Sequence, residues 1–372
     1  MKNKKLLSAL LVLSFAVAGC TAQTTTTNTT TSSATINGAE TVQLSISDKD
    51  LDTTYDLSDT ETIELSDSNG TLEISKGGNY LITGSTSNGM ITIDVAEDED
   101  VHLILKDVTI ANPENSAIFI KSADEVYITL EGTNVLSNGG TFSTVDDEEL
   151  DSVIYCKTDL TINGDGSLEI VSPAGHAIVC KDDMVITGGT YSISAGEDGI
   201  NTNDSLAITN GVFTVVSGDD AIHTDGILKI DAGTFDITAA EGLEGTQIII
   251  NDGNITISAS DDGINAAHKI EELSPYVEIN GGTITITMGA GDTDGIDSNG
   301  DIIINGGTIS IDGQSTCDYD GTATFNGGTL IINGEETTTI PNQFMGGGQM
   351  GGGPMGGDPN GNPDGQGRGP RG

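Results

Sequence analysis

Short runs in which apolar and polar residues alternate recur from about Val42 onward: TIELS, TLEIS, NYLITG, GMITIDV and VHLILKDVTI, then later GTITITM and GTISID. A period of two with Ile, Val and Thr predicts half-buried strands, and the Gly and Asn pairs between the runs predict turns. No long stretch carries a 3.6-residue period, so helices are not expected.

The turns repeat. The residue that follows each Gly-Gly-like turn is Thr190, Val212, Thr234, Asn254, Thr283, Thr308 and Thr329, at spacings of 22, 22, 20, 29, 25 and 21. A period just above 20 with two or three short strands per repeat is one coil of a parallel β-solenoid. It is too short for a propeller blade, which needs about 40 residues. The expected fold is all-β, a parallel β-helix over about 100–335. A β-rich cap, about 42–100, should close its N-terminal end, because an open end exposes strand edges.

In such a coil each residue lies over its counterpart in the next, about 4.8 Å away, so columns can be read from the sequence. Asn163, Thr187, Thr209, Asp231, Asn251, Asn280, Asn305 and Asn326 form one column. It is a turn ladder whose side-chain amides can bond up and down the stack. Two further columns are acidic. Column one runs Ser116, Ser152, His176, Asp198, Asp220, Glu241, Asp262, Asp294, Ser315. Column two, three residues on, runs Phe119, Tyr155, Val179, Asn201, His223, Glu244, Asn265, Asp297, Asp318. Glu197, Asp219 and Asp261 immediately precede three of the column-one acids.

Like charges one strand spacing apart repel by roughly 1 kcal/mol even at the dielectric of water. Unless water separates them, these carboxylates call for protons or cations. Calcium, which takes six to eight oxygen ligands, is the expected cation. Asn265 and turn carbonyls would complete its shell. The competing reading is that the acids splay into water at the coil corners. No EF-hand spacing is present, and the 4 His do not cluster as zinc ligands would.

Another column changes sign. Lys121, Lys157 and Lys181 align before the position becomes Asn203 and Asp225. This strip could receive a sugar carboxylate, or its lysines could pair with Asp159, Asp182 or Asp183. Cys156 and Cys180 align one coil apart, as a disulfide or as two buried thiols. Cys317 has no aligned partner.

Composition narrows the partners. The formal net charge is −44 and the pI about 4.1. Nucleic acid, which needs Lys and Arg, is therefore excluded as a partner. The first residues, MKNKK, LLSALLVLSFAVA and then VAGC, read as a bacterial lipoprotein signal over 1–19, with Cys20 the lipidated first mature residue. Localisation is thus expected outside the cell, on the membrane by a lipid anchor. Residues 20–41 are a Thr-rich linker, 42–335 the folded domain, and 336–372 a Gly/Pro-rich tail without a core-forming pattern. A monomer is expected.

The stretches SDDGINAA, AEGLEGTQIIINDG, GDTDGIDSNGDIIINGGTISI and CDYDGTATFNGGTLI resemble a bacterial carbohydrate-binding domain family over roughly 80–335. The chain departs from it at Cys317, where an aliphatic residue is commoner. The resemblance implies a right-handed parallel β-helix related in shape to pectate lyases. It implies an exported protein that binds cellulose-like or acidic plant polysaccharide with calcium in the acidic columns. Carried over by motif, the ligands would be Glu241, Glu244, Asp261, Asp262, Asp294, Asp297, Asp318 and Asp320; the columns add Asp198, Asp219, Asp220 and Asn265.

Three functions compete at this point. The first is a calcium-dependent polysaccharide-binding module. The second is a lyase, in which calcium would acidify the C5 proton of a uronate and a base would take it. The third is a surface structural or adhesive protein. The lyase is poorly supplied, since only Lys229, Lys269, His223 and His268 lie near the acids and Arg is absent from the folded region. Trp is absent and Tyr numbers 7, which disfavours a broad stacking platform for crystalline cellulose.

Overall fold

The structure is a computed structural model in which residues 46–343, apart from 292, are described. The expected lipoprotein signal, its Cys20 and most of the expected linker and tail lie outside these residues. Among the described residues the only helix is a single 3-10 turn, Leu57–Asp59. None is long and apolar enough to cross a membrane.

The chain winds as the repeat requires. An 11-stranded parallel sheet takes one strand from each coil, from Thr71–Ile74 to Cys317–Tyr319. Two of the remaining strands make a separate hairpin, Thr144–Val145 with Glu148–Glu149. The others form a 22-stranded sheet that supplies the other walls. Its order is parallel, coil on coil, up to a final antiparallel pair, Thr329–Ile332 with Glu335–Thr337. This is the parallel β-helix expected.

Register follows the columns. On the 11-stranded sheet Ile154, Ile178, Ile200, Ile222, Leu243, Ile264 and Ile296 stack one over another and are fully buried. On another wall Tyr191, Phe213 and Phe235 stack face to face, with ring centroids 4.6 and 4.7 Å apart. The Asn ladder forms as read: Asn326 donates to Asn305 (2.7 Å), Asn305 to Asn280 (2.8 Å) and Asn280 to Asn251 (2.9 Å). The second glycine of each turn has positive φ, for example 97° at Gly189 and 86° at Gly307. That conformation favours glycine and fixes the repeat point.

Both ends differ from the expected boundaries. Parallel pairing already begins with Thr60–Leu65 on Gly78–Thr86 and Thr71–Ile74 on Met90–Asp94. The segment expected to be a cap is therefore coil from residue 60. Residues 46–56 instead strap the outside of the 22-stranded sheet. Asp50, 3% exposed, accepts from Thr161 Oγ1 (2.7 Å), and its carbonyl accepts from Asn163 Nδ2 (3.1 Å) and Thr187 Oγ1 (3.2 Å). At the other end packing continues past 335 to Gln343, whose side chain accepts from Thr316 N and Oγ1 at 2.8 Å each.

Candidate metal and ligand site

The acidic motif follows from how a coil enters the 11-stranded sheet. In SDDGI the glycine sits where the next coil passes closest. A Cβ added at Gly199 would lie 2.5 Å from the Ala221 carbonyl, and one at Gly263 2.5 Å from the Gly295 carbonyl. Glycine there lets consecutive coils close up, and the acid before it is left beside the backbone amide of the next. So Asp220 N donates to Asp198 Oδ1 (3.0 Å), and Asp294 N to Asp262 Oδ1 (2.9 Å). Asp220 lies directly opposite Glu241. Asn201, His223, Glu244, Asn265, Asp297 and Asp318 lie in register in column two. Both columns are as the sequence placed them.

The acids are not electrostatically alike along the stack. In the upper half the protein supplies its own cations. His176 Nε2 lies 3.0 Å from Glu197, and its Nδ1, which accepts from Asp198 N (3.1 Å), lies 3.1 Å from Asp198 Oδ2. Asn201 donates to the same Asp198 oxygen at 2.6 Å. His223 Nδ1 lies 2.9 Å from Asp220 and 2.5 Å from Glu244, and Lys269 Nζ lies 2.9 Å from Glu244. Burial would discharge His223, but hydrogen bonds to Asp220 and Glu244 outweigh it and hold the imidazolium charged. Burial likewise opposes ionisation of Glu244, and His223 and Lys269 outweigh it and hold that carboxyl low. Asp220 goes the other way, raised by burial and by the charge of Glu244.

The lower half lacks such partners. Among the described residues no ion pair reaches Glu241, Asp262 or Asp297. Burial pushes Glu241 and Asp262 up to about 7 and Asp297 to about 6, with neighbouring carboxylates adding to each. Asn265 sits among them. Its Nδ2 donates to Glu241 Oε2 (2.9 Å) and Glu244 Oε1 (3.5 Å). Its Oδ1, on a residue only 9% exposed, has no hydrogen-bond partner. A buried acceptor without a donor costs free energy comparable to a lost hydrogen bond. Beside three carboxylates reluctant to ionise, that oxygen suits a hard cation with oxygen ligands. These are the oxygen types calcium takes as ligands, but Glu241, Asp262 and Asp297 are not among the groups whose ligand atoms lie within 4.8 Å of one another.

The other expected site residues are placed as follows. Asp219 and Asp261 are exposed on the turns beside the columns. Asp198, Asp219 and Asp220 bring ligand atoms within 4.8 Å of one another, as do Asp220, His223 and Glu244. Asp294 bonds Ser315 Oγ, Asp318 accepts from Tyr319 N (2.8 Å), and Asp320 is exposed at the last coil. The lysine strip is engaged, by partners other than those considered. Lys121 pairs with Asp94 and Asp146 at 2.9 Å each, Lys157 pairs with Glu148, and Lys181 lies 5.7 Å from the Tyr155 ring centroid. Two of these acids, Asp146 and Glu148, come from the small hairpin, Thr144–Val145 with Glu148–Glu149, that no repeat announces; Asp94 ends the strand Met90–Asp94. Cys156 and Cys180 stack in register as free buried thiols, and both point at the Thr158 carbonyl, at 3.0 and 3.4 Å.

The sequence places His176 and His223 in the columns but does not show that His223 neutralises its acidic neighbours. Lys269 comes from the insertion that stretches one repeat to 29 residues. The sequence places Lys269 near the acids but does not show that it pairs with Glu244.

The molecule is thus a parallel β-helix with one acid-lined face, part self-neutralised and part not. It belongs to the family described as carbohydrate-binding domain-containing protein, whose model matches residues 67–241 and 220–342. A protein of that description from Acetivibrio thermocellus is 33% identical over 135 residues, 35% of this chain and 47% of the relative. The chain thus spans about half the length of the curated relative it matches. A solved structure, described as the polysaccharide lyase-like protein from C. thermocellum, gadolinium derivative, is similar at 26% identity. Its TM-score is 0.42, over 73% of this chain and 96% of that one.

Proposed function

We propose that this protein binds polysaccharide, acidic and polygalacturonate-like, through calcium held in the lower half of the acid columns. The single observation that carries the calcium reading is the buried Asn265 Oδ1, without a donor, among Glu241, Asp262 and Asp297. These four residues would hold the ion, with Asp261, Asp294 and Asp318 nearby. Family membership supports the carbohydrate partner. The charge argument supports the metal. A chain at −44 repels a polyanion, and screening over about 8 Å at physiological salt weakens that repulsion without reversing it. A divalent cation with an open position supplies local attraction for a uronate carboxylate.

Binding is favoured over eliminative cleavage because three of the four nearby groups that could take a proton, His223, Lys229 and Lys269, are paired with carboxylates. His223 is held between two carboxylates, and Lys269 is paired with Glu244. The lipoprotein signal supports display outside the cell on a lipid anchor at Cys20.

The test is affinity electrophoresis in gels containing polygalacturonate. Retardation should appear with calcium and vanish in EDTA, and Asp262→Asn with Asp297→Asn should abolish it even with calcium present. Retardation that survives excess EDTA would overturn the calcium bridge. Release of unsaturated products absorbing in the ultraviolet would instead establish the lyase.

A further inference from the structure

An open cleft lies between the strap and the coil wall, on a different wall from the acid columns. Its volume is about 240 Å³, and Lys49, Asp52 and Thr54 of the strap face Asn79, Asp100, His102 and Tyr127 of the coil wall across it. Drug-sized sites run to about 300–1,000 Å³, so this one suits one or two sugar rings.

Phe, Trp and Tyr are scarce in this chain, at 4%, yet Tyr127 lines the cleft beside the His102 ring, with Tyr55 packed behind His102. Tyr55 and His102 have ring centroids 6.5 Å apart at 86°, and His102 and Tyr127 6.5 Å apart at 81°. The cluster is fixed by a chain of hydrogen bonds that begins in the strap. Asn163 Nδ2 donates to the Asp50 and Asp52 carbonyls (3.1 and 3.2 Å), which turns its Oδ1 toward Thr129 Oγ1 (2.5 Å). With its proton committed there, the Thr129 oxygen accepts from His102 Nε2–H at 2.7 Å. His102 therefore keeps Nδ1 as an acceptor. The site is assembled before any ligand arrives, which lowers the ordering cost of binding.

Charge decides the ligand class. Lys49 is already satisfied by Asp100 at 2.7 Å, and Asp52 adds another carboxylate. A uronate would be repelled. An uncharged sugar offers hydroxyl donors to Asp52, Asp100 and Asn79 and a C–H face to the rings. We infer that this cleft between the strap and the coil wall is a binding site for uncharged pyranose rings, independent of calcium.

The test titrates the full chain, in EDTA, with cellopentaose and mannopentaose. Tyrosine fluorescence is readable because the chain has no Trp and 7 Tyr, and the His102 ring can be followed by NMR among 4 His. At least one of the two sugars should shift His102 and quench or enhance tyrosine emission saturably, while trigalacturonate in EDTA should not. Asn79→Ala and Asp100→Ala, each at the cleft rim, should weaken that binding about tenfold, or about 1.4 kcal/mol. Neither should alter retardation by polygalacturonate in calcium. The inference is overturned if neither sugar moves His102, or if both variants bind as the wild type does. Loss of polygalacturonate binding alone would count against the acid columns and leave this site standing.

Discussion

Asn265 is the residue at which the account is most exposed. Its Oδ1 is buried without a partner, while its Nδ2 is spent on Glu241 and Glu244. Asn265→Ala should weaken calcium binding about tenfold or more, measured by titration calorimetry, because it removes a neutral oxygen ligand without touching the carboxylates. Wild-type affinity in this variant would mean that the oxygen is not a ligand. A second residue sets a pH dependence elsewhere. Glu125, beside Asp50, Tyr127, Thr161 and Lys49, is pushed up to about 7, chiefly by burial. An acid raised on folding stabilises the native contact below its unfolded pKa, near 4.3, and loses that contribution as pH rises toward 7. Exchange protection of the strap amides, 47–52, should therefore fall between pH 5 and pH 8 and stay level in Glu125→Gln. Protection unchanged with pH in the wild type would contradict this. The acids of the columns were legible in the sequence because each is one letter in a repeated word. Asp50 was not, because its burial depends on Thr161 and Asn163, more than a hundred residues away and outside any repeat.

At the scale of strands, stacking carries both the stability and the readability of the fold. Tyr191, Phe213 and Phe235 fill one interior column, and Phe213 touches a ring on each side. Phe213→Ala should cost about 3–5 kcal/mol in denaturant unfolding, and Phe213→Leu less, because it leaves a smaller gap while still losing both stacked rings. Equal small losses would mean that neighbouring coils close over the gap. Columns could be read because parallel strands in register repeat their inside and outside residues every coil. Elements that break the repeat were hidden or misjudged. The hairpin at 144–149 that occupies the lysine strip follows no period, and the coils from residue 60 match the later ones too loosely to be counted as coils.

Over the whole molecule, acid is distributed unevenly along the helix axis. His223 and Lys269 neutralise the upper part of the stack, and the part from Glu241 through Asp297 has protons or cations to rely on instead. An ion that binds only the native state stabilises by RT ln(1 + [L]/Kd), about 2.7 kcal/mol at a hundredfold excess over Kd. Calcium should therefore raise the melting temperature, EDTA should lower it, and Asp262→Asn with Asp297→Asn should be indifferent to both. The measurement that bears most directly on the central claim is the anomalous difference map of a crystal grown with calcium and trigalacturonate. The account predicts a calcium peak bonded to Asn265 Oδ1 and at least two of Glu241, Asp262 and Asp297, with a uronate oxygen completing the shell. No peak there, with a water on Asn265 Oδ1 and the carboxyls sharing protons, would contradict it.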